Sequence, residues 1–321
     1  MAGLYSGPII DAHCHLWDLG MNRHPWLRPT GGAIQALGDL SAIRRNYLVN
    51  DYRCDAANQN IVASVHVEAG WDHADDPLAE IQWLQTLDKS SGVAARYVGF
   101  ADLTASDSED VLDRLSDVHR CVGIRQMLSW HPTEPVKCFA PRPGIADEAD
   151  FRRGVALLAR HDQLLEVMLY PYQAEELARL ARDFPDQTFI VNHCGSPIDR
   201  DREGMLRWRT GLKLLGSAPN ANIKISALTA YDPRPTYESL CEVALHCIEC
   251  FGVDRSMFGS DFPVGRLWTS FDAIFDGFKS IVHDFSEDEQ SALFHANARR
   301  LYRIDEPPGI RAHAGDVDFS R

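Results

Sequence analysis

The residues of this chain best suited to chemistry are histidines at the ends of apolar segments. DAHCH (residues 11–15) ends the first strand candidate. Side chains alternate across a strand, so Asp11, His13 and His15 share one face and Cys14 takes the other. Two imidazoles that converge at a strand end can bind a metal ion, or they can donate hydrogen bonds to a polarised carbonyl.

Two later strand candidates end in residues of the same kind. His193 closes the apolar segment FIVNH (189–193), and Asp261 follows the segment SMFGS (256–260). Each has an ordinary explanation by itself, as a hydrogen-bonded core histidine or as a helix N-cap aspartate. A barrel of parallel strands would bring these strand ends to the centre of one face. The combination therefore indicates an active site more strongly than any single member does.

The elements that must position these residues are eight short apolar strands separated by helical segments. Gln173–Phe184 has its apolar residues on one helical stripe, and capping boxes predict helix starts at Ser106 and Ser286. The predicted strands are Pro8–His15, Ile61–Glu68, Tyr97–Leu103, Cys121–Met127, Leu164–Tyr170, Thr188–His193, Ala221–Leu228 and Ser256–Asp261.

This alternation predicts an α/β fold, a single-domain (β/α)8 TIM barrel over residues 1–304 with a polar C-terminal tail over 305–321. A doubly wound sheet is disfavoured because the turn after the first strand, HCHLW, has no glycine for a phosphate. Two long irregular segments, 16–60 and 129–147, follow predicted strands and should lie at the carboxyl face, where barrel enzymes keep their sites. Their side chains Trp17, Trp26, Trp130 and His131 are candidates for pocket walls.

Composition excludes several classes of partner. The 321 residues carry a formal net charge of −14, which disfavours nucleic acid and anionic membranes. No apolar run approaches the roughly 20 residues of a membrane span. The eight scattered cysteines and the absence of a signal peptide predict reduced thiols in a cytoplasmic protein. The Cys247–Cys250 pair lacks the further ligands that a structural zinc site needs.

The strings around the candidate residues resemble the amidohydrolase superfamily, in the branch that includes sugar-acid and dicarboxylate lactonases. IIDAHCHLWD (9–18) and FGVDRSMFGSDFPV (251–264) are the most specific. The supporting strings, which extend the resemblance to Ile304, are HPWLRP (24–29), GIRQ (123–126), LYPYQ (169–173), NHCGSPIDR (192–200), IKISAL (223–228) and LFHANARRLYRI (293–304).

The resemblance implies a role for each matching residue. Asp261 corresponds to the general base that activates water. His13, His15 and His193 correspond to imidazoles that bind a metal ion in some members and face the substrate carbonyl in metal-free lactonases. Arg125 and Tyr170 correspond to positions that contact substrate in related lactonases.

One departure from the family pattern limits the metal content. Members with two metals carry a bridging Lys or Glu on the fourth strand and a further His on the fifth. This chain has Arg125 and Gln126 on the fourth and Glu166 on the fifth, so a binuclear centre is not expected. One divalent, zinc-like ion held by His13, His15, His193 and Asp261 remains open, as does a metal-free site.

Further residues are candidates for substrate contact. Arg125 ends an apolar strand, where its guanidinium suits a carboxylate ligand, although an ion pair at the barrel rim explains it equally well. Lys224, His66 and Trp17 are weaker candidates. We therefore expect a small-molecule substrate, acidic in character, while oligomer formation stays open.

The leading functional hypothesis is hydrolysis of a small lactone by general-base attack of water. The first alternative is a metal-dependent decarboxylase of an aromatic or unsaturated acid. A third hypothesis is a binding protein that has the barrel fold but no catalytic activity. It is disfavoured because a site without catalytic activity has no need of a buried carboxylate such as Asp261.

Overall fold

The computed structural model describes residues 4–28, 37–232 and 234–305, and it contains eight parallel strands in the order β1 to β8. All eight predicted strands are present, although several end earlier than predicted. Their bounds are β1 Ile9–Cys14, β2 Ile61–Val67, β3 Arg96–Gly99, β4 Cys121–Met127, β5 Leu164–Met168, β6 Phe189–Val191, β7 Ala221–Ile225 and β8 Ser256–Phe258.

Helices surround the strands and complete the (β/α)8 barrel. The predicted helix over Gln173–Phe184 is confirmed as α5, and the Ser286 capping box is confirmed at α9. The prediction of a cap at Ser106 is wrong, since α3 begins at Ser108 after Asp107. The bounds are α1 Val49–Asp55, α2 Ala79–Thr86, α3 Ser108–Ser116, α4 Ala149–Arg160, α5 Ala174–Asp183, α6 Arg202–Gly216, α7 Tyr237–Phe251, α8 Phe271–Ile281, α9 Glu287–Ser291 and α10 Asn297–Leu301.

The barrel closes between β1 and β8 just beyond the end of β8. The N–H of Asp261 donates to the carbonyl of His13 at 2.8 Å, and the N–H of His15 donates to the carbonyl of Phe262 at the same distance. Cys14 and Phe262 form a parallel bridge there. Three of the residues that close the barrel at this seam, His13, His15 and Asp261, are therefore candidate active-site residues from the sequence.

The core has two parts that hold this seam in place. Apolar side chains fill the layer between strands and helices, where Phe258 stacks on Phe278 with ring centroids 4.4 Å apart. A second cluster inside the barrel includes Ile10, Ile190 and Met257, and Tyr302 from the chain after α10 packs against it. The interior is therefore a packed core and not a channel.

The two long connections leave the carboxyl ends of β1 and β4, as predicted. The first also contains α1, which the sequence did not indicate. Residues 306–321 of the predicted tail lie outside the described residues. All eight cysteines are free thiols. None of the helices described here is long and apolar enough to cross a bilayer.

Candidate active site

Three imidazoles and one carboxylate meet at the carboxyl face of the barrel. The Nε2 atoms of His15 and His13 lie 3.3 Å and 3.7 Å from Oδ1 of Asp261. The rings of His13 and His193 pack with centroids 4.6 Å apart. All four residues are buried. The structure thus brings together the four residues that the sequence singled out from three distant segments.

His193 and Asp261 do not end strands in the sense predicted. Strand β6 ends at Val191 and β8 ends at Phe258, and both functional residues follow in left-handed backbone, with φ of 53° and 57°. Left-handed backbone is uncommon outside glycine, although Asp and His are enriched among the exceptions. These turns lift the two side chains off the strands and aim them at His13 and His15.

Asp11 holds the segment that carries Asp261. Its Oδ1 accepts hydrogen bonds from the main-chain N–H of Ser260 at 2.8 Å and of His13 at 3.2 Å. Its Oδ2 accepts from the hydroxyls of Ser260 at 2.6 Å and Tyr52 at 2.8 Å. Burial raises the pKa of Asp11 to about 6, and these hydrogen bonds oppose that shift. The prediction that Asp11 shares a face with His13 is wrong. Its neighbours Ile10 and Ala12 point into the barrel, so Asp11 points outward to Tyr52 of α1, and a register shift between Asp11 and Cys14 lets His13 point inward.

Burial sets the protonation of the site. Desolvation lowers the pKa of His15 to about 3 and that of His193 to about 4, with Arg125 adding to both shifts. Desolvation raises the pKa of Asp261, while His193 and Arg125 oppose this. At neutral pH the imidazoles are therefore uncharged, and the carboxylate is a stronger base than an exposed aspartate.

Hydrogen-bond partners set the tautomer of two imidazoles. Nδ1 of His15 donates to the carbonyl of Val67 at 2.7 Å, which leaves a lone pair on its Nε2. Nδ1 of His13 lies 3.4 Å from Nζ of Lys224, an ammonium that can only donate. The His13 proton therefore resides on Nε2, which has no partner among the described residues.

Lys224 contacts His13 from inside the barrel and does not line the cavity. Its Nζ lies 2.7 Å from both carboxylate oxygens of Glu166, and both side chains are fully buried. The hydroxyl of Tyr302 donates to the same carboxylate at 2.6 Å. The expectation that Lys224 meets the substrate is thus corrected: a buried carboxylate already neutralises it below His13.

A cavity of about 350 Å³ opens above the imidazoles and the carboxylate. His15, His193, Asp261 and Arg125 line its floor, whereas His13 is fully buried and is not among the lining residues. Arg125 reaches the cavity as predicted, but its Nε donates to Oε1 of Glu68 at 2.7 Å and its Nη2 to the Glu68 carbonyl at 2.6 Å. Its charge is therefore compensated before any substrate binds.

The structure does not bring three other predicted contact residues to the described cavity wall. Each is buried and bound to a neighbouring group. The hydroxyl of Tyr170 donates to the carbonyl of Lys137 at 2.8 Å, and Nε1 of Trp17 donates to the carbonyl of Arg45 at 2.8 Å. Nε2 of His66 pairs with Oε1 of Glu80 at 3.1 Å. Buried polar groups find such partners because an unpaired one is costly.

Several wall residues were missed from the sequence. Trp26 lines the cavity as predicted, but Trp71 and Met168 from other loops and strands do so as well. Trp71 follows the end of β2 by four residues. This position after a strand could have predicted that it lies at the carboxyl face of the barrel. Trp130 and His131 lie elsewhere, and His131 pairs with Asp199 at 3.1 Å.

The residues present fit a single divalent ion. Ligand atoms of His13, His193 and Asp261 all lie within 4.8 Å of one another, and the lone pair on Nε2 of His15 also faces Asp261. Separations of 3.3 Å and 3.7 Å to Oδ1 of Asp261 suit ligands at about 2 Å from one ion. His13 fits less well than the others, because its Nε2 proton would have to leave.

The fold and this site define a (β/α)8 hydrolase with three histidines and one aspartate at its carboxyl face. The model of the Amidohydrolase family matches residues 10–304, and the chain belongs to this family. It is 42% identical over 298 residues to the uncharacterized protein y4mH of Sinorhizobium fredii, covering 92% of this chain and 98% of that one.

Two further similarities bear on chemistry. An L-fucono-1,5-lactonase of Burkholderia multivorans is 29% identical, over 94% of this chain and 98% of its own length. A crystal structure of an amidohydrolase from the same species with bound zinc superposes with a TM-score of 0.76 at 25% identity, over 93% of this chain and all of that one. The chain is therefore a hydrolase of the amidohydrolase type.

Proposed function

We propose that the protein hydrolyses a lactone by general-base attack of water. The observation that carries this proposal is the convergence of a buried Asp261 with Nε2 of His15, 3.3 Å away, at the floor of the cavity. A carboxylate whose pKa is raised by burial is suited to take a proton from water. The similarity to L-fucono-1,5-lactonases supports a cyclic ester as the substrate.

Asp261 and His15 together position the attacking water. Both present acceptor atoms to the same point, the carboxylate oxygen and the bare Nε2. A water between them donates one hydrogen to each, and its lone pair is then free to attack the ester carbon. The proton that water loses on attack goes to Asp261.

Arg125 and His193 stabilise the oxyanion that forms. Nε and Nη2 of Arg125 bind Glu68, and Nη1 has no hydrogen-bond partner among the described residues, so this lining residue keeps a donor for the oxyanion. His193 pairs through Nδ1 with the hydroxyl of Ser226 at 2.9 Å, and this partner allows a proton on Nε2. Fixed donors in a water-poor site stabilise developing charge at little reorganisation cost.

Collapse of the intermediate opens the ring. The bond between the carbonyl carbon and the ring oxygen breaks, and Asp261 returns its proton to the departing alkoxide, which gives a hydroxy acid. Where a divalent ion is bound, His13, His193 and Asp261 would hold it with His15 nearby, and it would polarise the carbonyl and acidify the water.

The test is acid release from a neutral δ-lactone in a pH-stat, before and after chelation and after zinc is restored. The proposal predicts stoichiometric hydroxy acid and no CO₂ from 2,6-dihydroxybenzoate with any of the three samples. Release of CO₂ together with inactivity on every lactone would establish the decarboxylase alternative and overturn the proposal.

A further inference from the structure

The walls of the cavity differ in character from its floor. Above the four polar floor residues, the wall consists mainly of large apolar side chains from the loops after β1, β2 and β4 and from β4 and β5. The largest of them are Trp26, Leu37, Trp71, Met127, Phe139 and Met168. A substrate whose ester group lies at the floor must place its remaining atoms against this surface.

The two tryptophans do not offer their polar atoms to a ligand. Nε1 of Trp26 donates to the carbonyl of Ala69 at 2.8 Å, and Nε1 of Trp71 donates to Oδ2 of Asp75 at 2.9 Å. Both rings therefore present only carbon to the cavity. A hydroxyl buried against them would lose its hydrogen bonds to water without replacement. The polar side chains of the wall are only Asp72, His73 and Tyr231 among its described residues, so a substrate with many hydroxyls would find few partners.

The charge of the cavity also disfavours an anionic substrate. Arg125 is the one lysine or arginine among the described lining residues, and Glu68 neutralises it through an ion pair with a shortest distance of 2.6 Å. The undescribed segment 29–36, PTGGAIQA, contains neither lysine nor arginine. Asp261 at the floor adds negative charge, whereas Asp72 at the wall is paired with Arg28 at 3.6 Å. A carboxylated ligand would therefore meet the charge of Asp261 and, among the described lining residues, no unpaired lysine or arginine.

We propose that the substrate is an uncharged lactone that carries an alkyl or aryl substituent. The ester lies at Asp261, and the substituent packs between Trp71 and the methionines of β4 and β5. This inference rests on the proposed lactone hydrolysis and narrows its substrate class. It replaces the expectation of an acidic substrate, since the arginine on which that expectation depended is already paired.

The first experiment compares kcat/KM for lactones of matched ring size. The six-membered set is δ-valerolactone, δ-octanolactone and D-glucono-1,5-lactone, and the five-membered set is γ-butyrolactone and its carboxylated derivative 5-oxotetrahydrofuran-2-carboxylate. Each buried methylene contributes about fourfold, so the three extra methylenes of δ-octanolactone should raise kcat/KM about 60-fold over δ-valerolactone. Glucono-lactone and the carboxylated lactone should be at least tenfold poorer than their unsubstituted parents.

A variant pair tests the wall directly. Met127→Gln keeps the side-chain length but adds an amide, whereas Met127→Leu keeps the surface apolar. The ratio of kcat/KM for δ-octanolactone to that for glucono-lactone should fall about tenfold in the glutamine variant and change less than threefold in the leucine variant. Circular dichroism and thermal unfolding confirm that both variants are folded.

The outcomes separate this inference from the proposed function. Preference for glucono-lactone or for the carboxylated lactone, or an equal ratio in both Met127 variants, would overturn the substrate class while lactone hydrolysis stands. Absence of hydrolysis with all five lactones would overturn the proposed function and the inference with it.

Discussion

The ammonium of Lys224 lies 3.4 Å from Nδ1 of His13, so a fully buried ion pair sets the tautomer of an imidazole at the active site. Lys224 is held by both oxygens of Glu166, and Tyr302 and Asn192 complete the partners of that carboxylate. Residues inside the barrel thus position an active-site histidine, because Glu166 holds Lys224 and Lys224 contacts His13. His13 depends on residues that no substrate touches.

Replacing this ion pair separates its structural role from its effect on His13. Lys224→Met leaves Glu166 buried without its cation and should lower the free energy of unfolding by about 3–5 kcal/mol. Lys224→Met with Glu166→Gln removes both charges and should recover most of that loss. Activity should nevertheless stay about tenfold below wild type in the double variant, because Nδ1 of His13 no longer has a fixed donor.

Nitrogen NMR of the histidine rings distinguishes the two roles. Wild-type protein should show His13 protonated on Nε2, and the double variant should show a mixture of tautomers. An unchanged tautomer in a well-folded double variant of normal activity would contradict the positioning role of Lys224.

The pH dependence of kcat/KM should have one acid limb. Asp261 must be ionised to act as a base, and burial raises its pKa above the usual 3.8, so activity rises with pH through that raised value. The pKa values of His15 and His193 are about 3 and 4, so both rings are neutral at higher pH and add no further limb to the profile. Rates on a neutral lactone, corrected for spontaneous hydrolysis, should be flat from pH 7 to 8. A second limb near pH 6.5 would contradict buried, neutral imidazoles.

Glu68→Gln should move that acid limb. The substitution leaves the charge of Arg125 uncompensated, and a nearby cation favours the ionised form of a carboxyl group, so the pKa of Asp261 should fall and the limb should shift to lower pH. The same variant should gain activity on a carboxylated lactone. Glu203→Gln, on an exposed position of α6, is the matched control and should leave the profile where it is. A limb that does not move in Glu68→Gln would indicate that Arg125 is remote from the base.

The buried histidines should also make stability depend on pH. Their pKa values are depressed in the folded state, so the unfolded chain takes up protons first as the pH falls below 6.5, and stability is lost in that direction. Between pH 7 and pH 5 this amounts to about 2 kcal/mol for each imidazole. Urea unfolding of wild type should therefore lose about 2 kcal/mol more than His15→Asn over that interval. Equal losses in the two proteins would show that His15 is not buried as described.

Strand positions and the four central residues were predictable because they depend on local pattern. Apolar periodicity located all eight strands, and parallel strands in one barrel necessarily present their carboxyl ends together. His193 and Asp261 were located correctly although their left-handed backbone was not foreseen. A residue two or three positions past the end of a strand still lies at the carboxyl end of the barrel.

The partners of the charged residues were not predictable in the same way. Arg125 and Glu68 lie 57 positions apart, and whether the guanidinium meets substrate or a carboxylate depends on side-chain geometry that no local pattern encodes. Lys224 shares a strand face with the site but lies one layer too deep to reach the cavity. Depth within a barrel is set by strand stagger, so a residue type at a strand position does not reveal it.

The turnover of Asp261→Asn shows directly whether Asp261 is the general base. Asparagine matches aspartate in shape and tolerates the φ of 57°, so the fold should be kept while the base is lost. We predict that kcat on a neutral lactone falls about 1,000-fold with an unchanged unfolding midpoint, within the range for a positioned base. Asp254→Asn, an exposed position before β8, should retain wild-type turnover. An Asp261→Asn variant with turnover within tenfold of wild type would contradict the central role of this carboxylate.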